Sequence, residues 1–320
     1  MYRLIRVLTD NATVVVSGTK MAQELGVSHS ATWRMVQQLR GLGVEIEGHP
    51  TTGYVLKKVP DLPLPEILSP LLAGTIFAGH VHHAFRTEST NLDAMNAAAE
   101  GAPEGSVFLA EEQIAGRGRG GHSWHSEKSQ GIYCSVVLRP AVPPAEVLVL
   151  SLAAGLAAQS AIGQITGLRP DLRWPNDLLL NGKKCAGILI EMNAEPTRVR
   201  YAVVGTGINV NQQEFSAELR DAATSLRMAG GGAAWPRLAL LAALLQSLDR
   251  EYRQVSLAAR VIQRFGECSS YARGKPVHVE EQGGYEGVTA GLDERGFLMV
   301  RTGDGMRTVI SGGVRAIESN

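Results

Sequence analysis

The run VFLAEEQIAGRGRGGHSW, from Val107 to Trp124, threads Arg117 and Arg119 through Gly116, Gly118, Gly120 and Gly121. Guanidinium groups are planar, permanently charged forks that match carboxylate and phosphate oxygens. Glycines around them let the backbone fold closely over a ligand. The combination predicts a flexible flap that closes on an anion, since a merely solvated turn would gain nothing from paired arginines. Gly116-x-Gly118-x-x-Gly121 also has the spacing of a dinucleotide fingerprint. That motif needs a helix directly after the glycines, with its N-terminus on the pyrophosphate. Here HSWHSEKSQG follows, without an apolar helical period, and a strand begins near Ile132. The arginines and loop N–H groups must then hold the anion, and nicotinamide chemistry is disfavoured. Cys134, Cys185 and Cys268 are far apart and odd in number, which argues against a disulfide framework and a CxxC metal site, and they read as buried thiols. No cluster of carboxylates or histidines suggests a dedicated metal site.

The elements that must position this loop fall into three zones. The chain of 320 residues is long enough for two or three domains, and its 31 basic and 31 acidic side chains cancel. Any nucleic-acid function must therefore come from a local patch. The first zone, residues 1–60, ends at a proline-rich stretch with Pro60, Pro63, Pro65 and Pro70, which reads as a semi-rigid linker over 61–79 that stops helix and sheet. The second zone, 80–270, alternates strand-like runs (SVFLAEE, GIYCSVVLRP, DLLLNGKKCAGILIEM, RYAVVGTGINV) with helical stretches at Ala145–Ile165 and Pro236–Val255. It predicts an α/β domain around one mixed sheet. The third, 271–320, breaks into short strands and Gly turns and predicts a small β-barrel. The N-terminus reaches Thr9, Asp10 and Asn11 before a signal-peptide core forms. The longest apolar tract, Val147–Ala158, is shorter than a bilayer span and interrupted by Ser151 and Gly155, so a cytoplasmic protein is expected.

Within the first zone, Met21, Ala22 and Leu25 mark one apolar-faced helix, and Gly26-Val27-Ser28 a tight turn. A second helix carries Ala31, Met35, Val36 and Leu39 on its buried side. Such a pair is a helix-turn-helix, and GVEIEGHPTTGYVLKK adds two strands that make it winged. His29, Ser30, Thr32, Arg34 and Gln38 are expected on the outward face, where a reading helix presents donors to base edges. Winged helices also serve as protein-contact modules, and the exposed charge is modest.

The loop, together with Ser89-Thr90-Asn91, RWPNDLLLNGKKCAGILIE and VVGTGINVN, resembles the bifunctional biotin protein ligases that double as biotin-operon repressors. The resemblance covers nearly the whole chain. It implies an α+β protein with an N-terminal winged helix-turn-helix, a central mixed-sheet ligase domain like the class II synthetases and a C-terminal SH3-like β-barrel. It implies a reaction in which biotin and ATP, with Mg²⁺ on the phosphates, give biotinyl-5′-adenylate and pyrophosphate. The biotinyl group then passes to one lysine of the biotin carboxyl carrier protein of acetyl-CoA carboxylase.

Carried over by position, Ser89, Thr90, Asn91 and Gln113 match biotin-contacting residues, and Arg117, Gly118 and Arg119 the segment over the biotin carboxylate and α-phosphate. Lys184 matches the essential lysine, in register before AGILIE, while Lys183 is its neighbour. Gly116, Arg119, Trp124 and Asn176 match nucleotide-contacting positions, and Asn209 is expected to shape that pocket. Asp177 is expected either to steer or deprotonate the incoming lysine or only to orient the WPND turn. Gly120 and His122 stand where relatives carry further basic residues, which implies weaker retention of the adenylate or a contribution from His122. The resemblance further implies operator DNA as a partner and a homodimer when adenylate is bound, with no membrane involvement. A pure biotin-sensing transcription factor would not need Lys184, and the lipoate ligases, which share fold and lysine, lack the GRGRGG run.

Overall fold

A computed structural model describes residues 2–11, 14–41, 44–49, 52–57, 61–281 and 283–317. The chain divides into two compact units, Met1–Leu71 and Leu72–Asn320.

In the first unit, α1 (Tyr2–Asp10) buries Leu4, Ile5 and Leu8 and precedes the pair α2 (Gly18–Leu25) and α3 (His29–Gly41). Ser17 caps α2 by accepting from Lys20 N at 3.1 Å. Gly26, in the left-handed region at φ 67°, ends the helix as only glycine does without strain. Strands β1 (Ile46–His49) and β2 (Gly53–Leu56) form an antiparallel two-stranded sheet, so the wing is present; Pro50 and Thr51 at its tip lie outside the described residues. One expectation fails here: Pro65 and Pro70 do not exclude a helix, because α4 (Pro65–Leu71) runs through the segment read as a linker. Pro65 occupies its first turn, where no N–H is needed, and α4 belongs to the first unit.

The second unit is built on a seven-stranded mixed sheet, ordered β3-β4-β5-β9-β8-β7-β6. Its strands and helices follow in the order β3 (Val81–Ala84), α5 (Thr90–Ala99), β4 (Val107–Ala110), β5 (Gly131–Leu138), α6 (Leu148–Thr166), β6 (Asp171–Arg173), β7 (Asp177–Leu180), β8 (Lys183–Ala194) and β9 (Val199–Asn209). The short α7 (Leu226–Ala229), then α8 (Arg237–Tyr252) and α9 (Ala258–Cys268) complete it. Strands β3 and β4 are parallel and the other neighbours antiparallel.

On one face of the sheet, Ala94 and Ala98 of α5 pack on Val137, Tyr201 and Val203. On the other, α6 packs with α8 and α9. Helix α6, with the turn before it, is long and apolar enough to cross a membrane, but 72% of that stretch is buried in the protein, so it is a core helix. Ser151 and Gly155 do not interrupt it. The Ser151 hydroxyl donates to the Pro175 carbonyl at 3.0 Å, and Gly155 lets Leu172, Phe265 and Ile188 close on the helix. Two of the three cysteines are buried as expected, with burial pushing the Cys134 and Cys185 thiols up to about 12, whereas Cys268 is exposed at the end of α9.

A buried charge cluster sits just after β4. The Glu111 carboxylate accepts from Ser129 Oγ at 2.7 Å and Arg237 Nη2 at 2.9 Å, and lies 3.3 Å from His83 Nε2. Burial by itself would raise the carboxyl's pKa; the His83 hydrogen bond, with Arg237 and Ser129, outweighs it and holds the pKa below the ordinary value. Its contribution to stability is thus complete above the ordinary carboxylate range and lost as pH falls through the depressed value. Glu111→Ala removes the compensating carboxylate beside a buried guanidinium and is expected to cost about 3–5 kcal/mol, read as a lower urea midpoint.

The chain ends in a five-stranded antiparallel sheet, ordered β13-β12-β11-β10-β14, from β10 (Arg273–Val279), β11 (Tyr285–Leu292), β12 (Leu298–Thr302), β13 (Gly305–Val309) and β14 (Val314–Ala316). Among the described residues its ladder does not close, since β13 and β14 stay at the edges. It is anchored to the larger sheet where the buried Trp174 donates Nε1–H to the Gly296 carbonyl at 2.9 Å.

Candidate functional site

Where α5 begins, Ser89, Thr90 and Asn91 are all buried against β5 and β9. Gln113 Oε1 accepts from Thr90 N at 2.8 Å and Thr90 Oγ1 at 3.1 Å, while Gln113 Nε2 donates to Ser126 Oγ at 2.8 Å. The Ser135 hydroxyl lies 2.6 Å from Asn91 Oδ1 and 2.8 Å from Thr90 Oγ1 and shares its proton between them. Ser89, Thr90, Asn91, Gln113 and Ser135 line an inner cavity of about 50 Å³, bordered also by Arg117, Gly118, Arg119 and Trp124 of the glycine-rich loop. Alternation along β5 and β9 aims Tyr133 and Ser135, and Gly205 and Gly207, at this cavity.

The glycines make its floor flat. Gly187 and Gly207 are cross-strand partners, and the Trp124 indole lies on them. A Cβ at Gly207 would run into that ring, one at Gly187 would stand 2.9 Å from Lys184 Cε and 3.1 Å from Trp124 Cζ3, and one at Gly205 would strike the Asn91 amide. Trp124 Nε1 is buried without a hydrogen-bond partner among the described residues.

Beyond the loop lies an outer cavity of about 520 Å³, bounded by Arg119, His122, Trp124, Arg173, Asn176, Asp177 and Lys184 and, from the C-terminal sheet, by Glu280 and 311–315. Gly118, Arg119, Trp124, Asn176 and Lys184 border both cavities. Lys184 Nζ is 2.5 Å from Asp177 Oδ1 and 5.5 Å from the centre of the Trp124 ring. Asp177 Oδ2 accepts from Arg173 Nη2 at 2.6 Å, so both carboxylate oxygens are engaged by cations. Arg119 Nη1 donates to Asn176 Oδ1 at 3.0 Å, and Asn176 Nδ2 to the Ile188 carbonyl at 2.8 Å, which ties the loop to β8. Burial lowers the Arg119 pKa and Asp177 opposes the shift, yet a guanidinium stays charged. Lys183 points elsewhere and donates to the Arg220 carbonyl at 2.7 Å.

Two residues expected at the nucleotide do not border either cavity. Gly116 is buried at the base of the loop, where its carbonyl accepts from Trp124 N at 2.8 Å and a Cβ would stand 2.5 Å from the Trp124 carbonyl. Asn209 turns its amide to the Thr224 carbonyl at 3.1 Å. Tyr133, Ser135 and the three glycines were missed by sequence reasoning; Ser135, a polar residue inside the apolar run GIYCSVVL, and the Gly-x-Gly of VVGTGIN were the only signals.

On α3, His29, Ser30, Arg34 and Gln38 are exposed as expected. Thr32 is not: it is 1% exposed and donates Oγ1–H to the Ser28 carbonyl at 3.2 Å. It stands one helical turn before Val36 and shares the buried stripe with Val36 and Leu39. Trp33, 52% exposed, takes its place on the outer face.

Comparison with known proteins agrees with this geometry. The pattern of the Biotin/lipoate A/B protein ligase family matches residues 84–209, that of an HTH domain residues 1–55, and that of the Biotin protein ligase C terminal domain residues 273–314. The bifunctional ligase/repressor BirA of Bacillus subtilis is 35% identical over 96% of this chain and 96% of its own. The chain belongs to the biotin protein ligase family. The biotin–[acetyl-CoA-carboxylase] ligase of Mycobacterium tuberculosis is another member, 37% identical over 71% of this chain and 85% of its own. The structure of the biotin protein ligase from Aquifex aeolicus in complex with biotin and ATP superimposes with a TM-score of 0.65 at 28% identity, covering 75% of this chain and all (100%) of that one. Within the biotin protein ligase family, this chain has the three-part order of an HTH domain, a catalytic domain and a C-terminal domain.

Proposed function

We propose that the second unit activates biotin with ATP and delivers it to a lysine of the biotin carboxyl carrier protein of acetyl-CoA carboxylase. The observation that carries this reading is the set of groups shared by the two cavities. A reaction that joins two substrates at one point needs cations at that point, and Arg119 and Lys184 stand there. In the first step a biotin carboxylate oxygen attacks the α-phosphorus of ATP, the bond to the β-phosphate breaks, and pyrophosphate leaves. Lys184 and Arg119 hold the attacking carboxylate close and offset charge on the phosphoryl oxygens. In the second step a neutral lysine amine attacks the acyl carbon of the mixed anhydride, AMP leaves and an amide forms.

Ser89, Thr90, Asn91 and Gln113 supply the hydroxyl and amide groups that suit the ureido head, which offers both donors and an acceptor. Small-molecule sites span about 300–1,000 Å³. The inner cavity, at about 50 Å³, is smaller than that, so binding of biotin is expected to displace the loop from Gly116 to Trp124. Trp124 and Asn176 face the nucleotide. Mg²⁺ supplies charge neutralisation on the triphosphate and enters with it. The carboxylates that face the outer cavity, Asp177 and Glu280, are both held by cations, Glu280 by Arg315 at 2.8 Å.

With both oxygens engaged, Asp177 acts as a positioning residue for Lys184. Asp177→Asn is expected to slow adenylate formation about tenfold or more while transfer from preformed biotinyl-5′-adenylate proceeds normally. Impaired transfer with normal adenylation would instead make Asp177 the base for the incoming lysine.

The winged helix-turn-helix domain, about 1–60, within the first unit, adds repression. Its reading helix presents His29, Ser30, Arg34 and Gln38 to operator DNA, and adenylate-linked dimerisation places two such helices on two half-sites. The catalytic domain spans about 80–270 with the fold of class II synthetases, and the sheet at about 271–320 is a variant of the SH3-like barrel. The deciding experiment is pyrophosphate release with Mg-ATP, with and without biotin, with lipoate as a competing acid. Biotin-dependent release followed by labelling of the carrier lysine supports the reading, and lipoate-dependent release would replace it with the sister activity. Sedimentation with and without both substrates tests the dimer, and one unchanged state would sink the coupled switch.

A further inference from the structure

Gly187, Leu189 and Glu191 share one face of β8, because alternate strand residues do. The first two line the inner cavity, whereas Glu191 stands behind it and touches two groups that do. Its Oε2 accepts from Asn91 Nδ2 at 2.9 Å across 100 residues of sequence, and its Oε1 lies 3.7 Å from Arg117 Nη1. One carboxylate thus reaches both the helix-borne amide and the glycine-rich loop.

The two contacts do different things. A carboxylate only accepts, so Glu191 decides which end of the Asn91 side chain is the NH₂. The Ser135 hydroxyl at 2.6 Å from Oδ1 decides the other end. Turning the amide over would set its oxygen against a carboxylate oxygen. Held at both ends, Asn91 offers its remaining N–H and lone pair to a ligand in fixed directions. The contact to Arg117 is looser, with side chains 49% and 31% exposed, so solvent screens it and it is weak. Weakness suits a segment that must open and reclose.

We propose that Glu191 is a positioning residue of this site, orienting the Asn91 amide toward the polar head of the substrate and tethering the Arg117 loop over the inner cavity. The first half rests on the ligase reading; the tether does not.

The test uses the full-length chain with Glu191→Ala and Glu191→Gln, each alone and combined with Arg117→Ala. Trypsin cleaves after Arg119 when the loop opens. In ligand-free protein both single variants are expected to be cut there about 2–5-fold faster than the parent, and to add nothing in the Arg117→Ala background. In biotin-dependent pyrophosphate release, Glu191→Ala is expected to raise the KM for biotin about tenfold with kcat within about twofold. Glu191→Gln is expected to raise it less, since its amide oxygen still accepts from Asn91, and its near-isosteric side chain keeps the test valid if the alanine variant is destabilised. Unchanged KM together with unchanged cleavage would overturn the proposal. Faster cleavage that persists equally in the Arg117→Ala background would overturn the tether. Absence of biotin-dependent release from the parent would overturn the ligase reading and the amide half with it, while the cleavage ratio still decides the tether.

Discussion

Lys184→Ala is expected to reduce biotin-dependent pyrophosphate release by about 10²–10³-fold or more, while Lys183→Ala stays close to the parent. The two lysines are neighbours in sequence, yet their side chains leave the strand on opposite sides. Lys183 is spent on the Arg220 carbonyl, and Lys184 borders both cavities beside Trp124. Removing Lys184 takes away a charge positioned where the carboxylate must meet phosphorus. It also frees Asp177 Oδ1, 2.5 Å away, so a negative group faces the anionic substrates. Both effects act more strongly on the transition state than on either bound substrate, so kcat and kcat/KM should fall together. The assay is pyrophosphate release with saturating biotin. Near-normal release from Lys184→Ala would mean that another cation neutralises the reacting centre.

Gly207→Ala is the second large effect. One methyl group is added in an ordinary strand conformation, with no strained dihedral to blame, but its place is taken by the Trp124 ring. An indole has no flexible end with which to yield, so it must lift from the floor formed by Gly187 and Gly207 and carry the loop with it. A displacement of about 1 Å at a positioned group can cost about 10²-fold in rate. Adenylation is accordingly expected to fall about 10²-fold with the melting temperature little changed. Full activity in this variant would show that the indole leaves the glycine floor during turnover.

What was legible in the sequence was local. The paired arginines among glycines, the helix pair with its Gly26-Val27-Ser28 turn and the apolar strand-like runs are each decided locally, where residue type speaks directly for backbone freedom, burial or charge. The polar wall of the inner cavity was not legible in the same way. Ser135 meets Asn91 across 44 positions and Glu191 meets it across 100, and only the register of β5, β9 and β8 brings them together. Prolines at 65 and 70 misled because a proline's effect depends on its place in a helix, and Pro65 falls in the first turn. Thr32 misled because a threonine that bonds back to the preceding turn can be buried at little cost. The helix at Ala145–Ile165 was legible to within a few residues of α6, and the Ser151 and Gly155 read as interruptions of its apolar tract serve as packing sites.

The backbone around Lys184 has a consequence of its own. Lys184 N donates to the Ala222 carbonyl at 2.8 Å, Thr224 N donates to the Lys184 carbonyl at 2.9 Å, and Asn209 holds the Thr224 carbonyl from beneath. The residue that carries the amine is therefore splinted by a segment whose outer part, 213–222, is largely exposed. A molecule gripping that exposed stretch could prise the splint away and silence adenylation without resembling biotin, ATP or the carrier. Inhibition of that kind would not yield to rising substrate.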